Sequence, residues 1–292
     1  MIDYHLHLWS HDDSSVEYRL DQVAQYCQEA ARHGVHELAL TEHLFRFVEM
    51  RATVGDFWNR WGHEPTTASM SAYFDFHARN SLGDYVAFAQ LAKSEGLPVK
   101  IGLEVDYYRD QMDDVAALLD QYPFDVLIGS VHWLDTWQFD DFDNDVHMAE
   151  WLSRDVDQCW ADYTFALEEL AATRTVDVLA HPDLIKVAGR FATDPQPLWQ
   201  RMAEAAAACD VSVECSSAGW FKPAGEQYPS EGLLDLLVAR SVTLTTASDA
   251  HGLERVGSRA GDLATMLEAH GVHELATYDQ RQRTMVPLRR GA

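Results

Sequence analysis

The sequence predicts an α/β fold, a distorted seven-stranded (β/α) barrel of the TIM type. Three observations point to it. Short apolar runs alternate with stretches of helical periodicity from one end of the chain to the other. Seven such runs can be counted, and no Pro- or Ser-rich linker or low-complexity tract divides them. A length of 292 residues also sits at the upper end of what one α/β domain holds. Periodicity cannot count closure, so an open doubly wound sheet is the alternative. The chain, 1–292, is read as a single domain.

The elements follow in order. Residues 1–5 read as the first strand, and 16–33 as a helix whose apolar positions Val16, Leu20, Val23, Ala24, Cys27, Ala30 and Ala31 recur at three and four. Gly34 ends that helix, since glycine tolerates the left-handed backbone that commonly follows one. Strand 35–40 comes next. Residues 44–81 are an excursion with no clean period, rich in aromatic residues such as Phe45, Phe57, Trp58, Trp61, Tyr73 and Phe74. Segments that long are often lids or separately packed additions. A helix near 82–95 and the breaker Gly96-Leu97-Pro98 lead to strand 99–105. Helix 112–121 precedes strand 125–131, and helix 145–173 precedes strand 176–180. Helix 197–209 leads to strand 211–215, and helix 230–240 to strand 242–246.

Composition narrows the function. With 22 Lys and Arg against 47 Asp and Glu, the formal charge is −25. Nucleic-acid and anionic-membrane surfaces need basic patches, so neither partner is expected. The apolar stretches fall far short of the roughly 20 residues that a membrane span requires. No basic region followed by a long apolar run opens the chain, so no secretory signal is expected. Cys27, Cys159, Cys209 and Cys215 form no CxxC pair, which suits reduced thiols in a cytoplasm. Oligomeric state, monomer or homodimer, is left open.

The unusual feature is 14 histidines in an acidic chain. Seven of them (His5, His7, His11, His43, His132, His181 and His251) follow predicted strands, where a barrel collects its catalytic groups on one face. The other seven (33, 36, 63, 77, 147, 270 and 273) read as ordinary surface residues. Residues two apart on a strand share a face, so His5 and His7 form a bidentate grip, repeated by Glu104 with Asp106 and by Asp249 with His251. Imidazole plus carboxylate suits Zn, Mn or Fe. One such histidine would be unremarkable. Nine potential ligands exceed what one catalytic ion takes, so two or three divalent ions are expected.

The segments HLH at 5–7, TEH at 41–43, GLEVDYY at 102–108, GSVHW at 129–133, AHPDLIK at 180–186 and SDAHG at 248–252 occur in that order. Together they resemble the PHP (polymerase and histidinol phosphatase) superfamily over about residues 1–260, and most closely its monofunctional histidinol-phosphate phosphatases. The resemblance implies a distorted barrel with a trinuclear site at the C-terminal ends of the strands. His5, His7, Glu104 and Asp249 would hold one ion; Glu104, His132 and His181 a second; His11, His43 and His251 the third. The family pattern sets the histidine matching His11 further along, so Asp12 or Asp13 is the alternative ligand there.

The implied chemistry is hydrolysis of a small phosphomonoester, L-histidinol phosphate foremost, as a step of histidine biosynthesis. Clustered dications lower the pKa of a shared water from about 15.7 toward 7 and offset charge on the phosphoryl group. Glu104, His132, Asp249 and His251 would activate that hydroxide, with no Ser or Cys nucleophile. Asp106 or Glu42 would orient a ligand or a water. Substrate contacts fall to Lys222, Lys186, Arg190, Trp220 and Ser217, with Trp9, Trp133 and Trp220 as candidate apolar walls. The loop after the sixth strand departs from the family at Cys215, commonly Asn, and at Phe221, commonly Arg, the bidentate phosphate fork. That departure keeps open a metal hydrolase acting on another phosphoester or on a C–N or C–O bond. A nuclease-like module and a catalytically silent metal-binding protein are the remaining readings.

Overall fold

The computed structural model describes residues 1–12 and 16–289. Strand β1 (Ile2–Asp3) leads through helix α1 (Leu20–Arg32) to β2 (Glu37–Leu40). The 44–81 excursion follows as a one-turn 3-10 helix, Leu44–Arg46, and helices α2 (Val48–Val54), α3 (Trp58–Trp61) and α4 (Thr66–His77). Helix α5 (Leu82–Ser94), strand β3 (Val99–Asp106), helix α6 (Met112–Leu119) and strand β4 (Val126–Ser130) continue the alternation. A small hairpin, β5 (Trp133–Leu134) and β6 (Trp137–Gln138), precedes helices α7 (Asp145–Ser153) and α8 (Val156–Thr173). Then come β7 (Val178–Leu179), α9 (Gln196–Cys209), β8 (Ser212–Ser216), α10 (Glu231–Ala239) and β9 (Leu244–Ala247). Helix α11 (Ala260–Ala269) and the hairpin β10 (Glu274–Asp279) with β11 (Gln282–Pro287) complete the chain.

Seven strands form one parallel sheet in the order β1-β2-β3-β4-β7-β8-β9. Its edges meet. Tyr4 N donates to Thr246 O at 2.9 Å, His7 N to Ala250 O at 2.7 Å, and Asp249 N to His5 O at 2.8 Å. The buried Asp3 carboxylate fastens the same seam by accepting from Ser248 N (2.8 Å), Ser248 Oγ (2.6 Å) and Gly257 N (3.1 Å). Burial pushes Asp3 up to about 6, and the Ser248 bonds restrain that rise. The sheet is therefore a nearly closed (β/α) barrel. The open-sheet alternative is excluded.

Three sequence expectations need correction. The excursion is helical: α4 buries Thr66, Met70, Phe74 and His77, which is helix spacing, but only two of those are apolar. The helix expected over 145–173 is two helices. Arg154 is extended (φ −87°, ψ 147°), and Asp155 restarts the helix as N-cap, its carboxylate accepting from Gln158 N at 3.0 Å. His77 and His147 are buried, not surface residues. His147 is a hub: its Nδ1 accepts from Gln138 N (3.2 Å), and its Nε2 meets Ser69 Oγ (2.9 Å).

The C-terminal hairpin covers the barrel end opposite the strand C-termini. Arg281 grips the Asp177 carboxylate at 3.0 and 3.1 Å just before β7, and its own N donates to Asp125 O just before β4. Tyr278 Oη bonds Ser212 Oγ at the start of β8 (2.6 Å). Among the described residues no helix is long and apolar enough to cross a membrane.

Candidate metal centre and active site

The extended segment after β1 alternates as a strand should. Tyr4 and Leu6 turn into the surrounding core, while His5 and His7 project together, their rings 5.1 Å apart. Glu104, fully buried on β3, stands opposite them. Its Oε2 lies 3.1 Å from His5 Nε2, 3.4 Å from His7 Nε2 and 2.7 Å from His43 Nδ1. Its Oε1 lies 3.2 Å from both His132 Nε2 and His181 Nε2, and accepts a hydrogen bond from Ser130 Oγ. Asp249 Oδ1 is 3.5 Å from both His5 Nε2 and His7 Nε2. One carboxylate thus divides its two oxygens between two sets of imidazoles.

The third set stacks beside it. The His7 ring lies 4.2 Å from those of His43 and His251, and His11 lies 4.9 and 4.5 Å from the same two rings. The shorter spacing to His11 therefore does not keep it away from its expected neighbours. Asp12 lines the same cleft, and Asp13 lies outside the described residues. Backbone strain marks two of the residues: His181 (φ 23°) and Asp249 (φ 51°) both adopt left-handed conformations, a frequent sign of a functional turn.

Divalent ions fit these donors. Buried polar atoms are normally paired, yet His5 Nε2, His7 Nε2, His43 Nδ1 and Glu104 Oε2 converge without a hydrogen bond. Four sets bring their donor atoms within 4.8 Å of one another: His5-His7-Glu104, His5-His181-Asp249, His43-Glu104-His132 and His7-His43-His251. Each could hold an ion. Burial alone would raise Glu104 and Asp249, but the imidazoles outweigh it, His5 first in both cases, and hold both carboxyls well below their usual range. Burial favours neutral His5 and His132, yet Glu104 together with Glu214 or Asp106 outweighs it and raises both. His43 and His251 are held low by burial and neighbouring histidines, His251 to about 3, leaving neutral lone pairs.

Behind the donors stands a row of carboxylates. Asp106 accepts from His132 Nδ1 at 2.6 Å, Glu214 accepts from His5 Nδ1 at 2.8 Å, and Glu42 Oε2 stands 3.8 Å from His7 Nδ1. Such partners fix the tautomer and raise ligand basicity. Glu214 escapes sequence reasoning as an orienter. Its partner lies 209 residues away, and no local spacing announces it.

The expected substrate residues separate. Lys222 lines a cleft of about 360 Å³ that opens above the histidines. Lys186 does not line it: its buried ammonium meets Asp183 Oδ2, Glu226 Oε1 and Gln227 O at 2.8 Å and Ser230 Oγ at 2.7 Å. Lys186 is a staple beneath the loop, in place of the phosphate contact expected of it. Arg190 is exposed away from the cleft, where its carbonyl accepts from Trp160 Nε1, and Ser217 Oγ donates to Ser258 O. Trp220 packs under the Arg259 guanidinium at 4.0 Å, and Phe221 under Arg255 at 3.8 Å. Trp9 and Trp133 are buried and line no part of the cleft. Its apolar wall comes instead from Phe45, Tyr73 and Phe142.

Comparison with known proteins agrees with this geometry. The PHP domain model matches residues 4–218. A Deinococcus radiodurans protein named "Probable histidinol-phosphatase" is 29% identical over 242 residues, covering 82% of this chain and 83% of its own. The histidinol-phosphatase of Lactococcus lactis is 23% identical over 290 residues, 95% of this chain and 94% of its own. The Lactococcus enzyme's crystal structure, complexed with zinc, L-histidinol and phosphate, superposes with a TM-score of 0.72 at 21% identity, covering 97% and 98% of the two chains.

Proposed function

The chain belongs to the PHP domain family, and on that premise we propose that it is a metal-dependent phosphatase converting L-histidinol phosphate to L-histidinol and phosphate. One observation carries the reading: Glu104 presents one oxygen to His5, His7 and His43 and the other to His132 and His181, inside a cleft that also holds Lys222. The full-length relatives named as histidinol-phosphatases support the choice of substrate.

His5, His7, Glu104 and Asp249 would hold one divalent ion, Glu104, His132 and His181 a second, and His11, His43 and His251 a third. When bound, these ions supply hydroxide at neutral pH and neutralise charge on a phosphoryl group. The chain's own residues do the rest. Glu214, Glu42 and Asp106 fix the tautomers of His5, His7 and His132, so each presents the correct nitrogen inward. Lys222 draws the phosphate to the cleft mouth, a role open to a lysine as a point charge. Burial of His5, His7, His43 and Glu104 keeps bulk water from competing at the centre. Residues 1–292 act as one domain, because the excursion and the C-terminal hairpin pack on the same core as the barrel.

Steady-state assay of metal-loaded protein on histidinol phosphate and a panel of sugar, nucleotide and aryl phosphates tests the reading. Histidinol phosphate should give the highest kcat/KM; turnover of the panel with none on histidinol phosphate would overturn it. Lys222→Ala should raise KM for histidinol phosphate by about tenfold, the loss of one charge-assisted contact.

A further inference from the structure

The cleft has a second wall, facing away from the histidine cluster, that the phosphatase reading leaves without a task. Part of it comes from the helical excursion. The rings of Phe45, Tyr73 and His77 pack on one another with centroids 4.3 to 5.3 Å apart, and all three line the cleft. The remainder follows the β5–β6 hairpin, where Gln138, Asp140 and Asp141 line it.

Two buried side chains in this wall lack a hydrogen-bond partner. Gln138 is 4% exposed and its Oε1 has none; His77 is 3% exposed and its Nδ1 has none. Unpaired buried polar groups cost about 1–3 kcal/mol each, and in a native fold they need a reason. The two ends of an amide exchange by a half-turn, so Gln138 can offer an acceptor or a donor. His77 is held neutral, at about 3, by burial and by Arg46 and Arg79, and so can accept a hydrogen bond. Asp140 and Asp141 form no ion pair among the described residues. The wall thus combines a flat apolar face, two unsatisfied polar groups and two carboxylates without a cation.

We propose that this wall selects the leaving alcohol: its heteroaromatic ring lies against Phe45, Tyr73 and His77 with His77 and Gln138 on the ring nitrogens, and Asp140 and Asp141 meet its ammonium. The inference rests on the histidinol-phosphate reading and adds the residues that would enforce it. A site whose buried polar groups expect ligand partners rejects substrates that lack them far more strongly than an apolar pocket does. Sugar and aryl phosphates would place their phosphate equally well yet leave Gln138 and His77 unpaired and the carboxylates without a countercharge.

The test compares kcat/KM for histidinol phosphate with kcat/KM for p-nitrophenyl phosphate in the metal-loaded full chain. In Gln138→Leu, His77→Phe and Asp141→Asn the ratio of the two should fall by about tenfold or more per variant. L-histidinol, which carries no phosphate, should inhibit p-nitrophenyl phosphate hydrolysis competitively and bind about tenfold more weakly to each variant. Asp141 is half-buried and its change is isosteric, so that arm stands if a core variant fails to fold. A ratio constant within about twofold in the folded variants, with undiminished inhibition by L-histidinol, would overturn the inference while leaving the phosphatase reading intact. Wild-type protein that hydrolyses p-nitrophenyl phosphate but not histidinol phosphate would overturn the reading itself, and the inference with it.

Discussion

Glu104 is the residue on which the centre turns. It is the one side chain within 3.5 Å of five candidate ligands, so its loss should be felt at more than one ion. Glu104→Gln should lower kcat by about a thousandfold through lost electrostatic stabilisation, with reduced metal content by mass spectrometry. Glu214→Gln should be milder: it keeps the shape but weakens the hydrogen bond to His5 Nδ1, so metal affinity should fall about 10–100-fold. Competition with a zinc-chelating dye measures that shift, and affinity unchanged in Glu214→Gln would deny it the orienting role. Legibility at this scale divides along the same line. The strand period places His5 beside His7, and the ends of parallel strands collect His43, His132, His181 and His251, so the expected donors are readable one strand at a time. Glu214 and the cleft position of His77 depend on pairings between distant segments, which no local pattern encodes.

At the scale of elements, the seven strands were readable because each is a short apolar run between polar helices, while the additions were not. Helix α4 buries a threonine and a histidine beside two apolar residues, so its stripe is invisible to hydrophobicity. The loop after β8 shows how an element can hold a site without touching substrate. Ser216 and Tyr228 bond backbone to backbone across its base, and Gly219 sits so close to Glu226 O that a Cβ would meet it at 2.1 Å. Lys186 fastens the same base through Glu226, Gln227 and Ser230. Lys186→Met should therefore destabilise the protein by about 3–5 kcal/mol, the usual effect of breaking a buried ion pair from one side. Thermal unfolding checks this. If Lys186 instead contacts phosphate in turnover, KM should rise with little change in Tm.

The whole molecule carries a charge of −25, yet its densest cluster of ionisable groups lies inside a barrel closed at one end by the Arg281 hairpin and open at the other to the cleft. Such a barrel separates stability from chemistry, with packing at the strand N-termini and function at the C-termini. The two are rejoined by the ions. Convergent donors that no hydrogen bond satisfies weaken the ion-free fold, and ions that bind only the folded chain stabilise it by mass action, by about 4 kcal/mol at a thousandfold excess over Kd. At roughly 2–4 °C per kcal/mol, zinc or manganese added to chelator-stripped protein should raise Tm by about 10 °C. The sign of the pH dependence follows from His5 and His132. Without ions, the carboxylates around them raise both above the ordinary imidazole value, whereas an ion takes only the deprotonated ring. Binding must therefore expel protons, which becomes harder as the medium turns acidic, so the metal-induced rise in Tm should shrink steadily from roughly pH 8 to pH 6. Calorimetry in two buffers of different ionisation enthalpy should register the released protons directly. A rise in Tm of equal size at both pH values, with no proton release, would mean that the ions bind somewhere other than the histidines around Glu104.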